Sequence, residues 1–282
     1  MPNKRTLRSL RSWLFTPATK ADRFSKAAEV SADVLIIDLE DSVAPSAKEQ
    51  ARHAALHYLA DQPRSLLRAL RINALRSRAG LDDLQSLLSS SAQPDYLILP
   101  KCESAGEIEL AAALLREAGK SAEIVASIET AKGVETLTEI TRADAEPAAL
   151  LFGAGDMAAD LGAELAWEPL LWARSRIVQA AAAAGITAID SPYFDIASPE
   201  GLRRETKASA SLGFSAKCAI HPSQIAIING ILTPAAEEVA KAREILEASR
   251  DGAASVRGQM VDEAVARTAR LVLERAGVAL EE

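Results

Sequence analysis

Val34-Leu35-Ile36-Ile37, closed by Asp38-Leu39-Glu40-Asp41, is the stretch that decides the fold. Four bulky apolar side chains in a row leave no polar face, so the segment reads as a strand covered on both sides. That is the habit of parallel sheets, whereas antiparallel sheets tend to alternate apolar with polar. The acids that follow it end the run abruptly.

Seven similar runs flank it: Ser12–Phe15, Leu67–Ile72, Tyr96–Pro100, Glu123–Ile128, Ala149–Phe152, Thr187–Ile189 and Phe214–Ile220. Helical spacing fills the intervals near 20–29, 46–60, 80–90, 103–118, 131–141, 167–184, 198–211 and 222–231. Eight strands alternating with eight helices predict an α/β fold, a (β/α)8 TIM barrel. A doubly wound sheet would carry a glycine-rich turn after its first strand, and Thr16-Pro17-Ala18-Thr19 has none. Thr233-Pro234 opens a further helix near 235–250. The connection Asp251–Gly258 leads to a last helix near 261–276. Residues 1–232 are therefore expected to form a catalytic barrel domain. Residues 233–282 would be a C-terminal helical extension packing on a neighbouring subunit.

The composition excludes several classes of function. Among 282 residues, 32 Lys and Arg face 39 Asp and Glu, a net charge of −7. A nucleic-acid surface would want clustered basic residues and stacking aromatics, and only three Trp, three Tyr and five Phe are present. No run approaches the length of a membrane span. The basic opening Met1–Arg11 lacks the apolar core of a secretory signal and reads as a solvated arm. Two cysteines make no disulfide framework. Cys102 and Cys218 follow or lie in strand-like runs, as buried reduced thiols of a cytoplasmic protein would.

In a parallel barrel, reactive groups gather at the C-terminal ends of the strands. Charged residues stand at nearly every such end: Asp38, Glu40 and Asp41, then Arg71, Lys101, Glu129, Asp156, Asp190, and finally Lys217 with His221. All are expected on one rim. Each alone has an ordinary explanation, Glu129 and Asp156 as acids at helix starts. Together, neighbouring carboxylates repel unless a cation lies between them. Oxygen ligands without His or Cys select Mg²⁺ or Mn²⁺, and the guanidinium fork of Arg71 suits a substrate carboxylate. His53 and His57 have zinc-like spacing but lie in mid-helix, and Gly153, Gly155 and Gly162 read as tight turns rather than a phosphate loop.

At these residues the chain resembles the citrate lyase β-subunit-like group of the HpcH/HpaI aldolase family. The resemblance is carried by Arg11-Ser12-Trp13-Leu14-Phe15-Thr16-Pro17, Leu39-Glu40-Asp41-Ser42-Val43, Leu99-Pro100-Lys101, Ser127-Ile128-Glu129-Thr130 and Phe152-Gly153-Ala154-Gly155-Asp156. Ala188-Ile189-Asp190, Gly213-Phe214-Ser215-Ala216-Lys217, Ile220-His221-Pro222 and Gly258-Gln259-Met260-Val261-Asp262 extend it. It implies a barrel that uses Mg²⁺ to cleave a carbon–carbon bond in 3-hydroxyacyl-CoA thioesters. Glu129 and Asp156 match the metal carboxylates, and Arg71 the substrate-carboxylate clamp. Phe15, Lys20 and Lys26 match residues along coenzyme A, with Arg23 able to replace Lys20. Gly155 falls in the substrate-binding set, and the backbone at Ala219 and Ile220 matches a contact to the thioester arm. Asp262 matches a catalytic acid delivered into an adjacent subunit's site. The chain departs from the family at Ala18, where many members have glycine, and at Ser191-Pro192-Tyr193.

The reading that follows is a lyase making acetyl-CoA and pyruvate from (S)-citramalyl-CoA, with malyl-CoA next. The expected partners are a small-molecule thioester and further copies of the chain, as a trimer or hexamer, with neither nucleic acid nor membrane. One alternative is a citrate lyase β subunit acting on citryl groups of an acyl carrier protein. Another is a non-catalytic barrel that binds acyl-CoA.

Overall fold

Strands β1 (Ser12–Pro17), β2 (Val34–Asp38), β3 (Leu67–Arg71), β4 (Tyr96–Leu99), β5 (Glu123–Ile128), β6 (Ala149–Phe152), β7 (Thr187–Asp190) and β8 (Ala216–Ala219) close into a parallel barrel. Closure runs through β1 and β8, where Ser12 lies opposite Lys217 and Leu14 opposite Ala219. The structure is a computed structural model and describes residues 7–60, 66–249, 254–256 and 259–278. Most of the basic opening segment therefore lies outside the described residues. Among those described, no helix is long and apolar enough to cross a membrane.

The helices are α1 (Lys26–Glu29), α2 (Lys48–Ala60), α3 (Arg78–Ser89), α4 (Ala105–Glu117), α5 (Ala131–Glu135), α6 (Leu137–Ile140), α7 (Ala154–Leu161), α8 (Trp167–Ala184), α9 (Pro199–Leu212), α10 (Ile225–Leu232), α11 (Ala236–Ser249) and α12 (Glu263–Arg275). Three of them start on one device. Ser77, Thr130 and Ser198 accept the amide N–H of Gly80, Gly133 and Gly201 in the first turns of α3, α5 and α9. Such caps satisfy an orphan donor at a helix start. At Gly80 a Cβ would fall 2.2 Å from the Ala74 carbonyl oxygen, so only glycine lets α3 begin so close to its loop.

Strand side chains alternate between two faces, and the alternation sorts the core. Trp13, Val34, Ile36, Ala69, Ile98, Val125, Leu151, Ile189 and Cys218 belong to one buried cluster, the barrel lumen. Leu14, Leu35, Ile37, Leu70, Leu97, Leu99, Ala126 and Leu150 belong to another, shared with the surrounding helices. Both faces are thus covered, as the uninterrupted Val34–Ile37 run requires.

Element boundaries differ from the sequence reading in a few places. The expected helix near 20–29 is a 3-10 turn at Ala21–Arg23 followed by the short α1. The helix near 131–141 breaks into α5 and α6 at Thr136. Helix α7 lies outside the intervals of helical spacing, although Asp156 fits a helix start there. The connection before the last helix contains an antiparallel pair, β9 (Ala254–Val256) and β10 (Gln259–Val261). Beyond β8, α11, α12 and β10 share a small cluster of Ala242, Ile245, Val261, Ala269 and Leu273. Helix α12 touches its own barrel at the 3-10 turn Leu7–Ser9, with Arg8 3.3 Å from Glu274. That turn precedes β1, so this contact lies on the face opposite the strands' C-terminal ends.

Candidate active site

Lumen parity carries a defined set of side chains up to the C-terminal mouth. Phe15 stands two residues after Trp13, Asp38 two after Ile36, Arg71 two after Ala69, and Ile220 two after Cys218. Glu129 stands four after Val125. All five line a cavity of about 490 Å³, joined by Asp41, Ser42, Leu151, Phe152, Gly153, Gly155, Asp156, Pro192 and Phe194. Arg71 lies over the Phe15 ring, 4.7 Å from its centroid.

Two of the expected rim residues are absent from this mouth. Asp190 and Lys217 follow the lumen residues Ile189 and Ala216 by one, so their side chains point outward. Lys217, with no exposed surface, donates to Asp190 at 2.6 Å, to the Ser191 carbonyl at 2.8 Å and to Glu205 at 2.9 Å. Arg174 of α8 donates to Asp190 at 3.1 Å. This network pins the barrel to α8 and α9. The two cations hold the Asp190 carboxyl below the usual carboxylate range against the opposing effect of burial.

At the mouth itself the charges are unequal. Arg71 donates to Asp38 through Nε at 2.6 Å and Nη2 at 2.9 Å, and its Nη1 lies 3.0 Å from Glu40 Oε2. Lys101 places Nζ 2.5 Å from Glu40 Oε1, 3.3 Å from Asp156 Oδ1 and 3.6 Å from both Glu129 Oε2 and Asp41 Oδ2. Lys101 has φ of +50°, a left-handed backbone that a non-glycine residue adopts at a cost. Two cations, Arg71 and Lys101, thus face four carboxylates, Asp38, Glu40, Glu129 and Asp156, before Asp41 is counted.

Glu129 carries the excess most visibly. It is buried, and its Oε2 has no hydrogen-bond partner. Burial, reinforced by the nearby Glu40 charge, pushes its carboxyl up to about 7. Burial likewise raises Glu40. The Glu129 side chain rests against Gly153, where a Cβ would fall 2.3 Å from Glu129 Cγ. Asp156, in the first turn of α7, is more open. A buried carboxylate oxygen without a donor, facing a second carboxylate across a net-negative mouth, is chemistry that fits a hard divalent cation. Among the described residues no three His, Cys, Asp or Glu side chains are grouped to hold a metal unaided. That fits Mg²⁺, which takes one or two protein carboxylates and completes its shell from water and substrate.

Two supporting residues, Lys48 and Asp83, carried no signal in the sequence. Lys48 of α2 donates at 2.7 Å to the carbonyls of Leu39 and Glu40 and to Asn73 Oδ1, clamping the loop after β2. Asn73 is held in turn by Asp83 at 2.6 Å. A helix lysine and a helix aspartate look like surface residues until the loop folds over them.

A second cavity, of about 290 Å³, adjoins the first and shares Phe15, Pro17 and Ile220 with it. Arg23, Lys26 and His221 supply its polar and cationic lining. Lys20 is exposed and lines neither cavity. The Ile220 amide donates to Gln224 Oε1 at 2.9 Å, and Ala219 is buried at the end of β8. Burial pushes the Cys102 thiol up to about 12 and raises Cys218 as well, so neither is a nucleophile at neutral pH. Asp262 lines neither cavity; it caps α12, its Oδ1 accepting the Val265 N–H at 2.9 Å.

The family described as HpcH/HpaI aldolase/citrate lyase matches residues 11–222, which span all eight barrel strands and this mouth. The chain belongs to that family. Residues 173–278 also match the group described as a carbon–carbon bond lyase of the TIM-barrel fold. The citrate lyase subunit beta-like protein of Mycobacterium tuberculosis is 39% identical over 280 residues, covering 96% of this chain and 97% of that one. The citrate lyase subunit beta of Escherichia coli K12 is 36% identical, with 97% and 95% covered. The L-malyl-CoA/beta-methylmalyl-CoA lyase of Cereibacter sphaeroides is 33% identical, with 94% of each chain covered. The crystal structure of CitE from M. tuberculosis with magnesium, acetoacetate and coenzyme A is 37% identical. It superposes with a TM-score of 0.78 over 96% of this chain and 100% of that one. This family member is a carbon–carbon lyase of the oxo-acid type.

Proposed function

We propose that the chain is a Mg²⁺-dependent lyase that cleaves a 3-hydroxyacyl thioester into an acetyl thioester and a 2-oxo acid. The observation that carries this reading is the Glu129–Asp156 pair, one oxygen of it buried without a partner, in a mouth where carboxylates outnumber cations. Bound between those side chains, Mg²⁺ supplies Lewis acidity toward the substrate's carboxylate and 3-oxygen and fixes their orientation.

The chain's own residues do the rest. Arg71, held by Asp38 and Glu40, lines the cavity and brings its charge to the substrate carboxylate. Phe15, Arg23 and Lys26 line the cavity that receives the thioester arm, the two cations suiting its phosphates. The 3-hydroxyl gives up its proton to a base as its oxygen becomes the carbonyl of the 2-oxo acid. The bond between C2 and C3 breaks, its electron pair passes to the acetyl thioester as an enolate, and a proton must then reach C2. Asp262 of a neighbouring copy is the proposed donor, since among the described residues no carboxyl of its own chain's tail lines the mouth. This arrangement makes the extension of residues 233–282 an intersubunit element and the working unit a trimer or hexamer.

The acyl group has two readings. The relatives named as citrate lyase β subunits favour a citryl group, carried on coenzyme A or on an acyl carrier protein. The apolar wall of Leu151, Phe152, Pro192, Phe194 and Ile220 favours the smaller citramalyl or malyl group. The deciding experiment incubates the purified chain with malyl-, citramalyl-, hydroxymethylglutaryl- and citryl-CoA, with Mg²⁺ or EDTA, and follows liberated acetyl-CoA. Mg²⁺-dependent release that Glu129→Ala abolishes is the expected result. Release by Glu129→Ala at the wild-type rate, or none from any ester, overturns the reading.

A further inference from the structure

We propose that Phe194 is the specificity-determining residue of this site, a side chain whose ring sets how large and how charged a C3 substituent the cavity accepts. The inference rests on the thioester-lyase reading and deepens it. Phe194 lies in the loop after β7 and lines the main cavity together with Glu129, Arg71 and Asp156. Its ring tip packs over Gly155, with Cζ 3.6 Å from where a Cβ on that residue would stand, beside the metal carboxylate Asp156.

The ring also divides two spaces. A cavity of about 230 Å³ lies behind it and shares Ala154, Pro192 and Phe194 with the main one. On the near side the wall is apolar, and the cation lining the cavity, Arg71, is already engaged by Asp38. Beyond the ring lie Ser191, Tyr193 and Arg174, together with Asp195 and with Glu205, which Lys217 holds. Arg174 is 2% exposed, and its Nη1 has no hydrogen-bond partner. With the ring in place, hydrogen or methyl on C3 meets a matching apolar wall. A carboxymethyl arm would press an unpaired carboxylate against that wall, a costly burial.

The backbone here is anchored. Gln224 donates to the Tyr193 carbonyl at 2.8 Å, and the Tyr193 ring fills the space that a side chain at Gly201 would need. Phe194 itself is 45% exposed, with no aromatic partner among the described residues, so a smaller side chain there would join the two cavities without moving the strand ends.

The test compares wild type, Phe194→Ala and Phe194→Leu on citryl-CoA and citramalyl-CoA with Mg²⁺. Phe194→Ala should raise the citryl-to-citramalyl ratio of kcat/KM about tenfold or more, while Phe194→Leu leaves it within about threefold. Calorimetry with Mg²⁺ reads the same preference without turnover: Phe194→Ala should tighten oxaloacetate relative to pyruvate. A ratio unchanged in Phe194→Ala, or one moved toward citramalyl, overturns the proposal in an active enzyme. If no thioester is cleaved at all, the lyase reading falls, and the relative affinities for the two 2-oxo acids still decide whether Phe194 sets the cavity's limit.

Discussion

Asp38 and Arg71 face each other as register partners on β2 and β3, and the carboxylate accepts from Nε and Nη2 along one edge of the guanidinium, at 2.6 and 2.9 Å. The arginine raises no free fork toward the cavity, since its Nη1 lies 3.0 Å from Glu40 Oε2. The Arg71 charge holds Asp38 below the ordinary carboxylate range despite burial, and Asp38 in return keeps Arg71 protonated. Clamping a substrate carboxylate here is therefore a matter of one prepaid orientation.

Removing Asp38 leaves that guanidinium buried without its partner. Asp38→Ala should lower stability by about 3–5 kcal/mol, the range seen when one member of a buried ion pair is lost. Urea unfolding of the two proteins measures it. A loss below about 1 kcal/mol would mean that Glu40 alone can hold Arg71.

Gly153→Ala tests the seat of Glu129. The new methyl would fall 2.3 Å from Glu129 Cγ and must displace the carboxylate or the start of α7. Mn²⁺ binding, followed by electron paramagnetic resonance, should weaken about tenfold or more. Circular dichroism should show the barrel intact.

Stability should respond to pH in two separate windows. The Glu129 carboxyl is raised from 4.5 to about 7. Between those values the folded chain keeps a proton that the unfolded chain has released. In EDTA, stability should fall as pH rises through this window, by up to about 3 kcal/mol. Excess Mg²⁺, which prefers the ionised carboxylate, should flatten or reverse the slope. Asp38 and Asp190 are lowered, so their contribution is present above about pH 4 and disappears as acid titrates them. Melting temperatures from pH 3 to 8, with and without the metal, separate the two.

Asp262 can be assigned to its own or a neighbouring site by mixing inactive proteins. Asp262→Asn and Glu129→Gln should each be inactive alone. Co-expressed in equal amounts, they should recover about a quarter of wild-type activity if each site combines one chain's barrel with its neighbour's Asp262. A mixture as inactive as its components shows that Asp262 does not act across a subunit boundary.

Part of the cavity's lining was legible once the barrel was read, and Phe15 through the family resemblance. Phe15, Arg71, Glu129 and Asp156 stand at or just past strand ends, and they line one cavity. Asp190 and Lys217 stand at strand ends too, yet they are buried against α8 and α9, because a single residue of offset turns a strand side chain to the other face. Lys48 was illegible for a different reason. Two of its partners are the carbonyls of Leu39 and Glu40, and backbone acceptors leave no mark in a sequence. The left-handed twist at Lys101, which brings its ammonium among the acids, is equally silent, since lysine has no preference for that conformation.

The chain by itself determined the eightfold alternation and the charged strand ends. Apolar runs such as Val34–Ile37 and helical periodicity are local consequences of where each segment is covered. Closure of β8 onto β1 decided which charged ends share a space, since it fixed the register and so the face from which every side chain projects. That choice depends on all eight strands at once. No segment holds enough information to make it alone.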